Sequence, residues 1–441
     1  MKKTNNKKAW VVAVDMGYGH QRTAYSLREI AYQGIINANN YPGIPREDRK
    51  IWRETRKFYE MISRFKQVPI IGDWIFNLYD KFQTIPKFYP KRDLSKPNLQ
   101  IREVVILIKK RNWGRHLISQ LAKKPLPLIT TFFATAMMAE IFNHPEEIYC
   151  IVCDADVSRS WVSDTPSLSR INYFTPSQRA VERLLLYGVP RERIFLTGFP
   201  LPKENIGTPE KLEILKKDLK TRILNLDING NYSRYYKELL VKHLDWHKGD
   251  KKRNNLTLTF AVGGAGAQRE LGAKILESLK ENIIKGEINV NLVAGIHNDV
   301  ATFFRRKIRQ LGLAKICDGH LHIIFAENKQ NYFQKFNQAM RTTDILWTKP
   351  SELSFYCALG IPIIIAEPIG SQEKFNRQWL IEIGAGFAQD KVEYTDEWLF
   401  DWLKSGKLAE AAMDGYLEAP KLGVFNIKKI VFNKERIKNK K

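Results

Sequence analysis

The sequence predicts an α/β protein with two domains, each built on a parallel sheet. Two observations carry this expectation. At two places a short hydrophobic strand runs into glycines and then into a helical pattern: A-W-V-V-A-V-D-M-G-Y-G-H-Q-R-T from Ala9, and L-T-L-T-F-A-V-G-G-A-G-A-Q from Leu256. After each opening, strands alternate with helical segments, the pattern of a sheet covered on both faces. The length agrees, since 441 residues allow two or three domains at about 150 residues each. With 44% hydrophobic and 11% aromatic residues, the chain can fill sizeable cores.

Along the chain, residues 9–15 read as a strand and 21–34 as a helix. The stretch 40–90 is a helical, basic insertion in the first domain. Trp52, Phe58, Tyr59, Ile62 and Phe65 fall near helical spacing, with Arg53, Arg56, Lys57, Arg64 and Lys66 among them. Such a helix suits an anionic membrane interface or a dock on its own domain, and periodicity does not separate the two. Strands at 127–132, 148–153, 171–175 and 194–198, with a helix at 177–187, complete a first domain spanning 1–204. Residues 205–254, rich in Lys and Asn, read as a helical connector ending in an exposed loop. A second domain, 255–425, continues with strands at 289–294, 321–325, 344–348 and 361–366. Residues 426–441 read as a basic tail. No repeat at solenoid spacing is visible.

The formal net charge is +24. From Met1 to Thr130 there are 26 Lys and Arg against 10 Asp and Glu, and the last sixteen residues hold 7 basic and 1 acidic. Such an excess suits a polyanion, whether nucleic acid, an anionic membrane surface or a phosphorylated ligand; the plainer alternative is a solvated, solubilising surface. No stretch approaches the ~20 apolar residues of a membrane span. The first apolar run ends at Asp15 and is too short for a signal peptide. A cytoplasmic protein is expected. Four cysteines in this length argue against a disulfide framework. Cys150 and Cys153 lie three apart in a strand, face opposite sides, and read as core.

The candidate sites lie where strands end, because open parallel sheets bind ligands at the carboxyl ends of their strands. After the first strand come Gly17, Gly19 and His20. The glycines let a ligand approach closely, and an imidazole can take a proton near neutral pH. In the second domain Gly263, Gly264, Ala265, Gly266 and Ala267 form a turn before a helix, suited to cradle a phosphate. The turn lacks the Lys-Ser/Thr of a P-loop, which argues against ATPase chemistry. Further on, T-K-P-S-E-L-S-F-Y-C-A-L-G reads as a strand ending at Lys349, a helix 352–359 capped by Ser351, and a stop at Gly360. Glu352 at that helix start could accept hydrogen bonds from two hydroxyls, as a ribose presents. Gln372, Glu373 and Asn376 cluster on a later turn and could read sugar hydroxyls. Ordinary capping and loop solvation remain the alternative for each of these. Asp154 and Asp156 are the one Asp-x-Asp near a strand end; they read as structural or acceptor-side rather than metal-binding, and no metal is expected.

Together these pieces resemble the GT-B glycosyltransferases, whose two Rossmann-like domains face a cleft. The nearest branch is that of monogalactosyldiacylglycerol synthases, processive diacylglycerol glucosyltransferases and the transferase that forms lipid II. The resemblance rests on G-Y-G-H, on T-P-S-Q-R-A-V-E-R-L-L-L-Y-G-V-P, on G-G-A-G-A, and above all on P-S-E-L-S-F-Y-C-A-L-G-I-P-I-I-I-A-E-P-I-G-S-Q-E-K-F-N. It covers roughly residues 9–30, 148–202 and 255–390. It implies that Gly263 to Ala267 face the donor diphosphate, that Glu352 holds the ribose, and that Gln372 and Glu373 contact the transferred sugar. It places His20 by the acceptor hydroxyl, with Gly17, Gly19 and Asp154 on the acceptor side. The sequence departs from the family at one point: Phe355 occupies the usual place of the ribose-binding glutamate, and Glu352 sits one helical turn earlier.

The expected function is transfer of a sugar from a nucleotide-sugar, a UDP-sugar first of all, to a lipid or lipid-linked acceptor. The protein would act peripherally at the inner face of the cell membrane, with no cofactor beyond the donor. Nucleic acid is not an expected partner under this reading. Two alternatives stand beside it: a nucleotide-sugar 2-epimerase of the same fold, and a non-catalytic nucleic-acid or lipid binder on a degenerate transferase scaffold.

Overall fold

A computed structural model describes residues 7–65, 85–247, 255–261, 268–314, 317–368 and 371–433. The chain divides into two units. The first comprises 1–200, 369–376 and 422–441; the second comprises 201–368 and 377–421.

The first unit holds a six-stranded sheet in the order β2-β1-β3-β4-β5-β6. The strands are β1 (Ala9–Ala13), β2 (Ala31–Asn37), β3 (Leu128–Thr130), β4 (Ile148–Ile151), β5 (Ile171–Thr175) and β6 (Ile194–Leu196). Each pairing is parallel. Alternation along β1 shows how the sequence builds it. Trp10 and Val12 enter one buried cluster, while Ala9, Val11 and Ala13 enter another. Successive residues of a strand point to opposite faces, so a strand buried on both faces reads as continuously hydrophobic.

The second unit repeats the plan in the order β12-β11-β10-β7-β8-β9. Its strands are β7 (Leu256–Ala261), β8 (Ile288–Gly295), β9 (Leu321–Phe325), β10 (Ile345–Thr348), β11 (Ile363–Ile365) and β12 (Gly386–Ala388). The expected α/β class, with two Rossmann-like units, is therefore what the chain adopts. In each sheet the strand order reverses beside the unit's first strand, between β1 and β3 and between β7 and β10. Such switch points leave a crevice at the carboxyl ends of the strands.

Several boundaries differ from the sequence reading. The helix expected at 21–34 is Tyr18–Tyr25, and the chain then enters β2, a strand absent from that reading. β2 is an edge strand with partly exposed residues and positive φ at Gln33 and Gly34, so its hydrophobic alternation is broken. The expected connector is helical, as Glu213–Leu226, Asn231–Tyr235 and Lys237–Leu244, but these helices belong to the second unit. The expected tail begins as the helix Gly423–Asn433, whose Val424, Ile427, Ile430 and Val431 are buried in the first unit's core. A Cβ at Gly423 would collide with the Phe199 carbonyl, so only glycine allows this close approach. Residues 434–441 lie outside the described residues.

The basic insertion starts as the helix Arg46–Phe65. Its first turns dock on their own unit. Ile51 and Trp52 are buried, Trp52 packs edge-on against Trp113 at 4.7 Å, and Asp48 Oδ2 accepts from Gly114 N–H at 3.2 Å. Trp52 is therefore core rather than an interfacial anchor. Residues 66–84 of the insertion lie outside the described residues.

Asp414, in the helix Lys407–Glu418 of the second unit, is pushed up to about 6 by burial, with Glu410 and Glu418 adding repulsion. Its ordinary value is 3.8. A carboxyl raised on folding contributes stability below its unfolded value, and that contribution is lost as pH rises through the folded value. Near pH 7.5 the ionised Asp414 is thus a small penalty. Asp414→Asn is expected to raise the melting temperature at pH 7.5 by about 2 °C, after discounting for solvent screening. The gain should shrink as pH falls from 6 to 4. A pH-independent shift in thermal melts would refute the assignment.

Candidate functional site

In the first unit, the site forms where β1, β3 and β4 end. Gly17 precedes the helix Tyr18–Tyr25 with φ 100° and ψ 175°, a conformation that favours glycine. His20 is consequently the third residue of that helix, rather than part of a loop before it. Its half-buried ring meets Phe132 edge-on, with centroids 5.2 Å apart, and lies tilted 35° to Trp161 at 6.1 Å. Phe132 follows β3 and Trp161 lies in the 3-10 turn Arg159–Trp161. Two aromatic rings from separate loops thus hold the imidazole. Trp52 continues the array at 6.0 Å from Phe132. The turn itself is braced by Asn39 on the loop after β2. Asn39 Oδ1 accepts from Asp15 N–H at 2.9 Å, and its Nδ2 donates to the Asp15 carbonyl at 3.2 Å. Thr23 Oγ1 donates to the Gly19 carbonyl at 2.8 Å. Sequence reasoning misses Phe132, Trp161 and Asn39. Their only signal is position after a strand, which many loop residues share.

Asp154 and Asp156 follow β4 and go to different partners. Asp156 is buried and takes a bidentate ion pair from Arg183, with Oδ1 to Nε at 2.9 Å and Oδ2 to Nη2 at 2.8 Å. Asp154 Oδ1 accepts from Asn376 Nδ2 at 2.9 Å. Asn376 is buried, and its Oδ1 accepts from Ala155 N–H at 2.7 Å. The cluster expected on a turn lies instead on the helix Ser371–Glu382, and Gln372 and Glu373 are half-buried there. The division between units falls within this helix, after Asn376. Among the expected sugar-reading residues, Asn376 therefore has both ends of its amide engaged within the first unit.

In the second unit, the ends of β7 and β10 are neighbours. Thr348 pairs with Ala261 in register, and its Oγ1 donates to the Ala261 carbonyl at 3.3 Å. The glycine segment follows Ala261 in sequence, but Gly263, Gly264, Ala265, Gly266 and Ala267 lie outside the described residues. Just after them, Gln268 Nε2 donates to the Glu367 carbonyl at 3.5 Å, beyond the end of β11. β10 leads into Glu352–Leu359, which has the expected bounds but forms a 3-10 helix. Ser351 makes no side-chain cap there, and the Ser354 N–H that its hydroxyl would take goes instead to the Ser351 backbone carbonyl at 2.9 Å; this corrects the capping role expected of it. Gly360 stops the helix at φ 70°, as expected. Glu352 is half-buried at the helix start, four residues after the end of β10, the strand that pairs with β7.

The 3-10 segment is held from below by Arg222, which is buried. Its guanidinium donates to the carbonyls of Thr343 (2.7 Å), Leu359 (2.9 Å), Gly360 (3.3 Å) and Met340 (3.2 Å). Burial lowers its pKa, while Asp344 and Asp218 oppose that shift. Four accepting carbonyls replace the lost hydration of a buried cation. The last turn of the 3-10 helix and the loop before β10 are thereby fixed as one piece.

Chemically, the first unit presents an oriented imidazole at a strand-end crevice. The second presents a carboxylate, Glu352, shortly after β10, the neighbour of β7.

The comparisons extend this picture. Residues 246–426 match a family described as Domain of unknown function (DUF6938). The processive diacylglycerol beta-glucosyltransferase of Bacillus licheniformis is 20% identical over 405 residues, covering 88% of this chain and 84% of that protein. Among solved structures, Acinetobacter baumannii MurG has a TM-score of 0.47 at 13% identity, covering 96% of this chain and 99% of its own. A putative UDP-N-acetylglucosamine 2-epimerase from Listeria monocytogenes has a TM-score of 0.46 at 12% identity, covering 97% and 98%. The chain thus resembles, over nearly nine tenths of its length, a processive diacylglycerol glucosyltransferase, and it carries the two Rossmann-like units expected of a GT-B glycosyltransferase.

Proposed function

We propose that the protein is a glycosyltransferase that moves a sugar from a UDP-sugar to the hydroxyl of a lipid or lipid-linked acceptor. The observation that carries this is the position of His20, in the first turn of the helix that follows β1, at the switch point of the first sheet. The near full-length similarity to a diacylglycerol glucosyltransferase supports it. His20 accepts the acceptor's hydroxyl proton as the oxygen attacks the anomeric carbon. The new C–O bond forms while the bond to the diphosphate breaks, and UDP leaves with the electron pair. Gly263 to Ala267 are assigned to the leaving diphosphate, Glu352 to the ribose hydroxyls, and Gln372 and Glu373 to the sugar. Backbone N–H groups at a helix start suit developing phosphate charge, so this chemistry draws on no metal and no further cofactor.

A lipid surface as the place of action is supported by the helix Leu99–Arg111 of the first unit. Leu99 (63% exposed) and Ile106 (43%) share its outer face with Arg102, Lys109 and Lys110, and with one acid, Glu103. Leu168, 84% exposed, lines a shallow pocket with Lys109. Exposed apolar side chains among cations fit an anionic bilayer. Among the described residues, no helix is long and apolar enough to cross a membrane.

Calorimetry with UDP tests the donor half. Wild type is expected to bind, and Glu352→Ala to bind about 10- to 100-fold more weakly, the effect of losing hydrogen bonds to a charged group. Transfer from UDP-glucose to diacylglycerol in anionic vesicles tests the rest. No UDP binding at millimolar concentration would favour a scaffold that has lost its donor.

A further inference from the structure

The geometry points to Asn376 as a positioning residue that anchors the start of the helix Ser371–Glu382 on the first unit, so that Gln372 and Glu373 share an edge with His20. This rests on the glycosyltransferase reading for the use of those residues, though not for the anchor itself.

The contact joins residues 222 positions apart and engages both ends of the Asn376 amide. Its carbonyl oxygen takes the Ala155 N–H, and its NH₂ gives to the Asp154 carboxylate. The carboxamide meets the two partners with opposite ends, accepting at Oδ1 and donating from Nδ2. A carboxylate at 376 would keep the first bond and set two like charges against each other at the second. Asn376 is fully buried, so water offers no substitute.

The receiving tripeptide is itself immobile. Ser177 Oγ donates to the Ala155 carbonyl at 2.5 Å, and Asp156 is held by Arg183 through two bonds. Asn376 therefore docks on a fixed point at the end of β4.

Helix geometry carries the fix to the functional pair. Gln372 and Glu373 lie four and three residues before Asn376, which puts all three on one face. Pinning Asn376 sets both the position and the rotation of that face. β4 is two strands from β1 in the sheet order, about 10 Å at ordinary strand spacing. That is a span one sugar ring and its substituents can bridge. The sugar-reading pair and the proposed base are thus carried by the same unit, although the sequence separates them by some 350 positions.

Three proteins test this: wild type, Asn376→Asp, and the swap Asp154→Asn with Asn376→Asp. In the swap, the amide now at position 154 can donate to the carboxylate now at position 376, which still accepts from the Ala155 N–H. Hydrogen exchange should show residues 371–376 exchanging faster in Asn376→Asp and slowing again in the swap. Transfer kcat should fall about 10- to 100-fold in the single variant, the cost of displacing a substrate-positioning group by roughly 1 Å. The swap should recover at least about tenfold of it, and UDP affinity should stay unchanged throughout. A merely structural role would move exchange without the split between a lowered kcat and an unchanged UDP affinity. A folded swap as impaired as the single variant, or an Asn376→Asp protein with wild-type exchange and kcat, overturns the inference. If exchange behaves as expected while wild type neither binds UDP nor transfers sugar, the anchor stands and the glycosyltransferase reading fails.

Discussion

His20→Ala is expected to lower sugar transfer by about 10²- to 10⁴-fold, the usual range for a general base, while UDP affinity stays unchanged. The separation follows from placement. His20 lies at the carboxyl end of β1 in the first unit, whereas the residues assigned to the nucleotide follow β7 and β10 in the second. Phe132 and Trp161 hold the ring from two sides, so alanine leaves a gap without disturbing the strand beneath. His20→Gln fills most of that space with a group that cannot take a proton at neutral pH, and it should be as inactive as alanine. If His20→Gln kept more than about a tenth of wild-type kcat, the ring would be acting as a spacer and the base would lie elsewhere. Initial rates with saturating donor, beside UDP calorimetry on the same preparations, decide this.

Asp156→Ala is expected to cost about 3–5 kcal/mol of stability, the typical result of leaving one member of a buried ion pair uncompensated. Arg183 has no exposed side-chain surface and Asp156 only 2%. Besides Asp156, Arg183 donates to the Pro86 carbonyl at 2.8 Å, which does not neutralise it. Removing both charges should be milder. The double variant Asp156→Ala with Arg183→Met is expected to be more stable than Asp156→Ala alone, because no charge is then stranded. Urea unfolding midpoints at constant m-value give both numbers. A loss below about 1 kcal/mol for the single variant would mean that water reaches Arg183 in solution. The result also bears on the reading of Asp-x-Asp. Asp156 belongs to the fold, and Asp154 belongs to the Asn376 anchor.

Most strands are legible because both faces of these sheets are buried, which turns each strand into a short continuous apolar run. β4, β5 and β9 fall almost where such runs lie, and the glycines at the two domain openings mark the switch points. β2 is not legible. It is an edge strand, A-Y-Q-G-I-I-N, with a glycine and polar residues where a central strand would have none. The short strand β12 escapes notice for a similar reason. At the sites, residue types that carry chemistry on their own, such as His20 and Glu352, stand out as candidates in the sequence. Residues that matter through a distant partner do not. The amide of Asn376 suggests a sugar contact, because no local pattern announces Asp154 as its partner. Trp52 shows helical spacing with basic neighbours, and only its packing on Trp113 identifies it as core.

The helix Gly423–Asn433 has a consequence for how the protein is made. Its apolar side chains close one face of the sheet that Ala9–Ala13 begins. The two segments lie some 410 residues apart in sequence, and domains generally fold as units while the chain emerges. The first unit therefore cannot complete this face until Gly423–Asn433 has been made. Val11 and Ala13 lack that part of their cover until then. The second unit, drawn almost entirely from 201–421, has its residues available sooner. The first unit, earlier in sequence, is thus the later of the two to be completed.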